Sequence, residues 1–527
     1  MNDHANTAGS GAGRLDEPPE IVAAVDLGSN SFRMVIARVI GEQVQPIDRL
    51  REGVRLAGYL DRNQRLSVEG RRRALEALRR FGQRLREVPD SNLRAVGTNT
   101  LRKARNREVF LAEAKRALGH GIEVVSGQEE ARLIFLGAAH SLAGGPDKRL
   151  VVDIGGGSTE VIVGRGFEPR RAESLYMGCV SWTMAHFPGG RISAKRMKRA
   201  ETAAQLELRT VKSELRRLGW ERCVGASGTI QAIVTILREN GWSDQGITPE
   251  GMARLREEIL RCDDVEKLDL PGLRRDRARV LPGGLAILSA IFSALRIERM
   301  LVSPGAMREG LLYDLLGRMR REDARDRTIQ RFVGQYRVDE EQAQRVEQTA
   351  LYLLGQESVR WSIDPEIGRA FLSWGASLHE IGLAVAHAAH HKHGAYLVQH
   401  SDMPGFSYQD QQILSLLIRF HRRKLVAPLF TDALPKRQAR LALRLCLLLR
   451  LACLLNRSRS SRPLPAVRLR AKGKKLRLLF PAGWLDEHPL TRADLLQEAN
   501  RLAAVGYRLK IRSSSESSES EADGTAA

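Results

Sequence analysis

Two short segments of matching shape carry the residues best suited to chemistry: VDLGSNS at Val25–Ser31 and VDIGGGS at Val152–Ser158. Each is an apolar run ending in an aspartate, then a turn of small residues, then a second apolar run. A glycine-rich turn lets backbone N–H groups converge on an anion without obstruction by Cβ atoms. In the first turn the candidates are Asp26, Gly28, Ser29, Asn30 and Ser31; in the second they are Gly155, Gly156, Gly157, Ser158 and Thr159. A strand-end aspartate can hold Mg2+ directly or through water. One such turn is an ordinary hairpin; two matched copies point to a duplicated fold that binds phosphate. Neither copy has the GxxxxGK[ST] pattern or the GxGxxG spacing, so the P-loop and Rossmann readings are excluded.

Other segments add to the set. CVGASGTIQAIVTIL reads as strand, loop and helix, with Gly225, Ser227, Gly228 and Thr229 at the helix start, and LVSPGAMREGLLYDLL repeats the pattern with Arg308. Helix N-termini favour anions through free N–H groups, although either loop alone reads equally as a capped turn. In SGQEEARL, Ser126 and Glu129 have capping-box spacing, which gives Glu129 a structural task. Glu130, rotated about 100° around the helix, is then free for another role, as a surface acid that complements the helix dipole or as a general base that orients water. Asp153 and Glu160 flank the second turn and could share a metal ion. Arg102, in GTNTLRKARN, offers a fork of donors suited to phosphate.

The elements that must position these groups form two rhythms. From Ile21 to about Asp314, strands such as IVAAVD, FRMVIARV, LRAVGT, IEVVSG and RLVVDIG alternate with helices such as VEGRRRALEALRRFGQRLREV, an α/β pattern. The charged stretch GRMRREDARDR from Gly317 reads as a connection, and the chain is helical from Thr328 to about Asn456. The last folded piece reads AVRLRAKG, KKLRLLF, a helix TRADLLQEANRLAAVG, and YRLKIR. The first twenty residues and the tail SSSESSESEADGTAA are expected to be disordered.

Composition bounds the partners. The 527 residues are too many for one core. Lys and Arg number 84 against 62 Asp and Glu, a net charge of +22 that suits a polyanion: polyphosphate-like molecule, nucleic acid or anionic membrane. Aromatic residues are only 5% and no base-stacking motif occurs, so no specific nucleic acid is expected. Five cysteines without a CxxC pair read as reduced thiols of a cytoplasmic protein. No secretory signal is read at the N-terminus, and LALRLCLLLRLACLL reads as a core helix, so any membrane contact would be peripheral.

VDLGSNSFRMVIARV, GTNTLRKARN, SGQEEARL, VVDIGGGSTEV, MGCVSW, GASGT and SPGAMREG, in this order, closely resemble the exopolyphosphatase/guanosine pentaphosphate phosphohydrolase family, within the acetate kinase/sugar kinase/heat-shock chaperone/actin superfamily. The resemblance runs from about Ile21 to about Arg512. It implies two duplicated ribonuclease-H-like (actin-like ATPase) lobes at 21–139 and 140–316, an all-α HD-like domain at 317–457, and a small α+β domain at 458–512, with 1–20 and 513–527 outside. It further implies Glu130 as catalytic base, Asp153 and Glu160 as metal-associated acids, and the three glycine loops with Arg102 and Arg308 as the phosphate site.

The implied activity is Mg2+-dependent release of terminal orthophosphate from inorganic polyphosphate, with K+ as a candidate stimulant; hydrolysis of guanosine pentaphosphate is the alternative. SNSFRMVIARV, MGCVSW and SDMPGF favour the first. An ATP-dependent kinase and a non-catalytic polyanion-binding protein are rivals of other classes. A homodimer is implied. Arg468, Arg470, Lys472, Lys474 and Lys475 are expected to track a bound polymer. Seven of the twelve histidines fall between His379 and His421, but His379-Glu380 stands where an active HD hydrolase has His-Asp, so packing and interface or polyanion contacts are expected there, with a metal site as the lesser alternative.

Overall fold

The computed structural model describes residues 20–40, 43–142, 147–319 and 323–514. The segments expected to be disordered lie largely outside these, as do three residues of the charged stretch after Gly317. The chain forms two compact units, Met1–Glu123 with Glu130–Leu316, and Val124–Glu129 with Gly317–Ala527.

The first unit contains two five-stranded sheets with one topology. In the first, β1 (Ile21–Leu27), β2 (Phe32–Ile40) and β3 (Gln43–Glu52) form an antiparallel meander, and β4 (Leu93–Gly97) runs parallel to β1, with β5 (Glu123–Val124) beyond it. In the second, β6 (Lys148–Ile154), β7 (Thr159–Arg165) and β8 (Glu168–Leu175) repeat the meander, and β9 (Arg222–Gly225) runs parallel to β6, with β10 (Leu301–Val302) beyond it. The duplication read from two turns therefore extends to whole sheets. The central strands are buried on both faces, which is why they read as continuous apolar runs. The third strands, QVQPIDRLRE and EPRRAESL, lie at sheet edges, where charge and proline are tolerated.

Two contacts fix the helix that carries the candidate base. Helix Gly127–Ser141 crosses helix Met307–Met319 with no room for side chains: a Cβ on Gly137 would lie 1.9 Å from the Ala306 carbonyl oxygen, and one on Gly310 would lie 1.8 Å from that of Leu133. Buried Asp314 then accepts from both Arg94, on β4, and Arg132, on the same helix as Glu130.

In the second unit, helices including Glu340–Glu357, Pro365–Leu378, Tyr408–Phe420 and Lys436–Leu455 share one hydrophobic core with a sheet of β11 (Arg468–Lys472), β12 (Lys475–Phe480) and β13 (Arg508–Ser513). Helix Lys436–Leu455 is the central core helix, and its Arg450 is buried against Glu498 at 2.6 and 2.9 Å. The sheet alternates strictly. Leu469, Ala471, Leu476, Leu478 and Leu509 face the core; Arg468, Arg470, Lys472, Lys475, Arg477, Arg508, Lys510 and Arg512 face out. Arg470 sits opposite Arg477 and Lys472 opposite Lys475, while Lys475 and Arg477 pair with Arg508 and Lys510. Lys474 lies in the turn between β11 and β12, with its ammonium 6.0 Å from the Tyr507 ring. All five cysteines are free thiols. No helix among the described residues is long and apolar enough to cross a membrane.

Candidate active site

Hairpin geometry dictates the first feature. β1 and β2, and β6 and β7, each turn back within four residues, which brings Asp26 opposite Arg33 and Asp153 opposite Glu160 in register. The duplicated positions thus differ in charge. The first lobe pairs an acid with a base, and the second sets two acids against each other.

The turns themselves face one another. A Cβ on Gly156 would lie 3.3 Å from Ser29 Cβ and 3.5 Å from Asn30 N; one on Gly157 would lie 3.3 Å from the Asn99 side chain. None of Gly28, Gly155, Gly156 or Gly157 has positive φ, so close approach, not a left-handed backbone, is what demands glycine. Between the turns is a cleft of about 110 Å³ lined by residues of both turns and by Asp26, Arg33, Glu130, Asp153, Arg277 and Arg308.

The MGCVSW segment holds the second turn in place. Helix Cys179–His186 directs its first free N–H groups at the turn: Cys179 N donates to the Gly155 carbonyl at 2.9 Å, and Val180 and Ser181 N donate to that of Gly156 at 3.0 and 3.1 Å. This helix N-terminus is spent on protein carbonyls. Gly178 permits the approach, since its Cβ would fall 2.4 Å from Gly157 N.

Glu130 is nearly buried on the cleft wall, with Ile134 one turn further along the same helix face. Its Oε2 accepts from Arg102 Nη1 at 2.6 Å. Arg102, expected to face phosphate, is thus drawn to the candidate base and does not line the cleft. Neighbouring Glu129 is fully buried: Ser126 Oγ accepts its N–H at 3.1 Å, as the capping reading expects, and its carboxylate accepts from Gly405 N at 2.7 Å.

The remaining predicted residues divide. Ser227 caps helix Gly228–Glu239 by accepting from Ile230 N at 3.1 Å, and Thr229 donates to the Ile154 carbonyl at 3.1 Å; with Gly228 they still line the cleft. Thr159 is buried away from the cleft, its hydroxyl donating to the Met177 carbonyl at 2.6 Å. Gly225, also outside the lining, is packed against Ile230 and Met300.

The acids sit in a strained electrostatic setting. Burial, opposed by Arg33 and reinforced by Glu130, raises Asp26 to about 6. Burial with Glu130 beside it raises Asp153 to about 7. Glu160 is pushed well above the carboxylate range by burial, Glu130 and Asp153. It accepts from Ser174 at 2.8 Å through Oε1, while its buried Oε2 has no hydrogen-bond partner. An orphan oxygen among desolvated carboxylates fits a divalent cation. Among the described residues no group of three or more His, Cys, Asp or Glu is placed to hold a metal.

Models described as the Ppx/GppA phosphatase family and as domain III of the Ppx/GppA phosphatases match residues 35–319 and 324–499. The chain belongs to the Ppx/GppA phosphatase family. It is 42% identical over 94% of its length, and 98% of the relative's, to the guanosine-5'-triphosphate,3'-diphosphate pyrophosphatase of Vibrio vulnificus. A protein of the same name from Aeromonas hydrophila is 40% identical over 93% of this chain and 98% of its own. Among solved structures, the Aquifex aeolicus member of the Ppx/GppA family aligns with a TM-score of 0.50 and 26% identity, over 57% of this chain and 99% of that one. The paired sheets are the actin-like domains of the Ppx/GppA fold.

Arg33 and Arg277 escaped the sequence reading. Arg33 Nε donates to Ser31 Oγ at 3.3 Å, and both guanidinium groups close on Gly228, whose Cβ would lie 2.6 Å from Arg277 Nη2 and 3.3 Å from Arg33 Nη2. Among so many arginines neither had a distinguishing neighbour, although Arg33 could have been found by aligning the repeats, where it stands against Glu160.

Proposed function

We propose that this chain is a phosphoanhydride hydrolase that releases the terminal orthophosphate of guanosine 5'-triphosphate 3'-diphosphate. The observation that carries the reading is one carboxylate, Glu130, set in a cleft between two facing glycine turns, in a chain 42% identical to a pyrophosphatase of that name. Backbone N–H groups of the turns cradle the terminal phosphate. Arg33, Arg277 and Arg308 supply positive charge where negative charge gathers in the transition state. Glu130, steadied by Arg102, orients water for in-line attack, and the shortened nucleotide leaves. Asp153 and Glu160 would hold Mg2+, which when bound supplies charge neutralisation at the phosphate oxygens.

The sequence motifs rank inorganic polyphosphate first; near-full-length identity to relatives named for the guanosine nucleotide supports the reverse order. Polyphosphate is kept as a second reading on one observation, the outward cationic face of β11–β13, which a single nucleotide does not need. The homodimer and the HD-type relation of the helices rest on the sequence resemblance, and the cytoplasmic setting on five cysteines without a CxxC pair.

Phosphate release measured side by side from the guanosine nucleotide and from long-chain polyphosphate tests both readings. The wild type should prefer the nucleotide, and Glu130→Ala should lose about 10²–10⁴-fold in kcat on either substrate while binding persists. Near-normal turnover by that variant would remove Glu130 from its role. A preference for the polymer would restore the other order.

A further inference from the structure

The second unit contains a cavity of about 410 Å³ that the phosphatase reading does not use. Its walls carry Arg422, Arg423, Arg450, Arg457, Arg459 and Arg501 against three acids, Glu380, Asp494 and Glu498. The acids are taken. Glu380 is gripped by Arg459 at 2.6 and 2.7 Å, Glu498 by Arg450 and at 3.3 Å by Arg501, and Asp494 by Arg457 at 2.7 Å. Arg422 and Arg423 have no carboxylate within ion-pair distance among the described residues. Arg422 instead lies 3.2 Å from Nε2 of His390, whose ring stacks at 5.8 Å on His421. His379, His390 and His421 are all buried. Each is held below the ordinary imidazole value first by burial; Arg422 adds to this at His390, while Glu380 opposes it at His379. The cavity thus sets the half-buried Arg422 guanidinium, without a carboxylate, beside uncharged rings, and the exposed Arg423 adds to a positive field that an anion would relieve.

We propose that this cavity is a second anion site, built for a small multiply charged phosphate of the pyrophosphate class. The volume admits such a molecule with its water shell. The lining is polar, with Leu383 and Leu454 among its few apolar side chains and no Phe, Tyr or Trp. Arg422 and Arg423 are the primary contacts, and His390 and His421 report occupancy because their surroundings change charge.

Calorimetric titration of the full-length protein with methylenediphosphonate, a pyrophosphate mimic that resists hydrolysis, tests this. Two binding events per chain are expected. Arg422→Ala should weaken one at least tenfold while phosphate release from the guanosine nucleotide stays within twofold, and Arg308→Ala should weaken the other. A second measurement needs no variant: the ring proton resonances of His390 and His421 should move on saturation. A single event lost with Arg308→Ala and untouched by Arg422→Ala, or histidine resonances that stay still, would overturn the second site. Loss of the Arg422 event with normal turnover upholds it even if the cleft reading of Glu130 fails.

Discussion

Glu130 and Arg102 act as a pair, and neither residue alone announces this. Carboxylates near a helix start are ordinary, and one arginine among many cations is unremarkable. The capping argument separated Glu129 from Glu130 because adjacent helical residues face different ways, and both indeed have separate partners. What could not be read was that Arg102 reaches the carboxylate, since that depends on two segments packing. Arg102→Ala should lower kcat about 10–100-fold with KM little changed, because the proposed base loses its orientation while the proposed phosphate contacts persist; steady-state kinetics decide it. Asp26 makes a prediction about stability. Its folded value of about 6 exceeds the ordinary 3.8, so its proton is held more tightly in the folded state. The resulting stabilisation is full below about pH 4 and lost as pH rises through about 6. The carboxyl opens on the cleft and keeps some solvent, so the loss is at most about 3 kcal/mol. Urea unfolding without Mg2+ should show the wild type falling against Asp26→Asn between pH 4 and 7; parallel curves would contradict the shift.

At the scale of elements, the strands flanking both turns, the basic first helix and the closing strand–strand–helix–strand piece were legible because their apolar periods match their structures. β3 and β8 were not, because edge strands rich in charge lack that signal. IEVVSG, read as a strand, is reduced to the two residues of β5. The reading of MGCVSW stopped at family resemblance; its physical task is to brace the second turn with the N–H groups of a helix. Gly178→Ala forces a methyl group onto backbone, where nothing can rotate away. The expected cost is about 1–3 kcal/mol, with a loss of turnover exceeding the loss of stability, because the displaced atoms belong to the proposed phosphate cradle. Denaturant midpoints and phosphate release on one preparation would separate the two effects. Equal activity at reduced stability would mean the turn is not the cradle.

For the whole molecule, the sequence supplies a charge count and the structure supplies its address. Some arginines are ordinary solvated ones, such as Arg72, paired with Glu69 and Glu76 on the exposed face of a helix. The face of β11–β13 differs, because like charges stand directly across the ladders. Such pairs are destabilising by about 0.2–1 kcal/mol each. Arg477→Glu, between Arg470 and Lys510, should therefore raise the melting temperature at low salt, against the usual outcome of surface charge reversal. An unchanged or lower melting temperature would show the repulsion to be already relieved.

The cationic sheet also bears on how the protein behaves at the bench. Stripped of polyanions and desalted, it is left with its repulsion unscreened, so the cleanest sample should also be the most fragile. Heparin resin should retain it firmly, crude fractions should carry excess absorbance at 260 nm, and sulfate in the storage buffer should lengthen its shelf life.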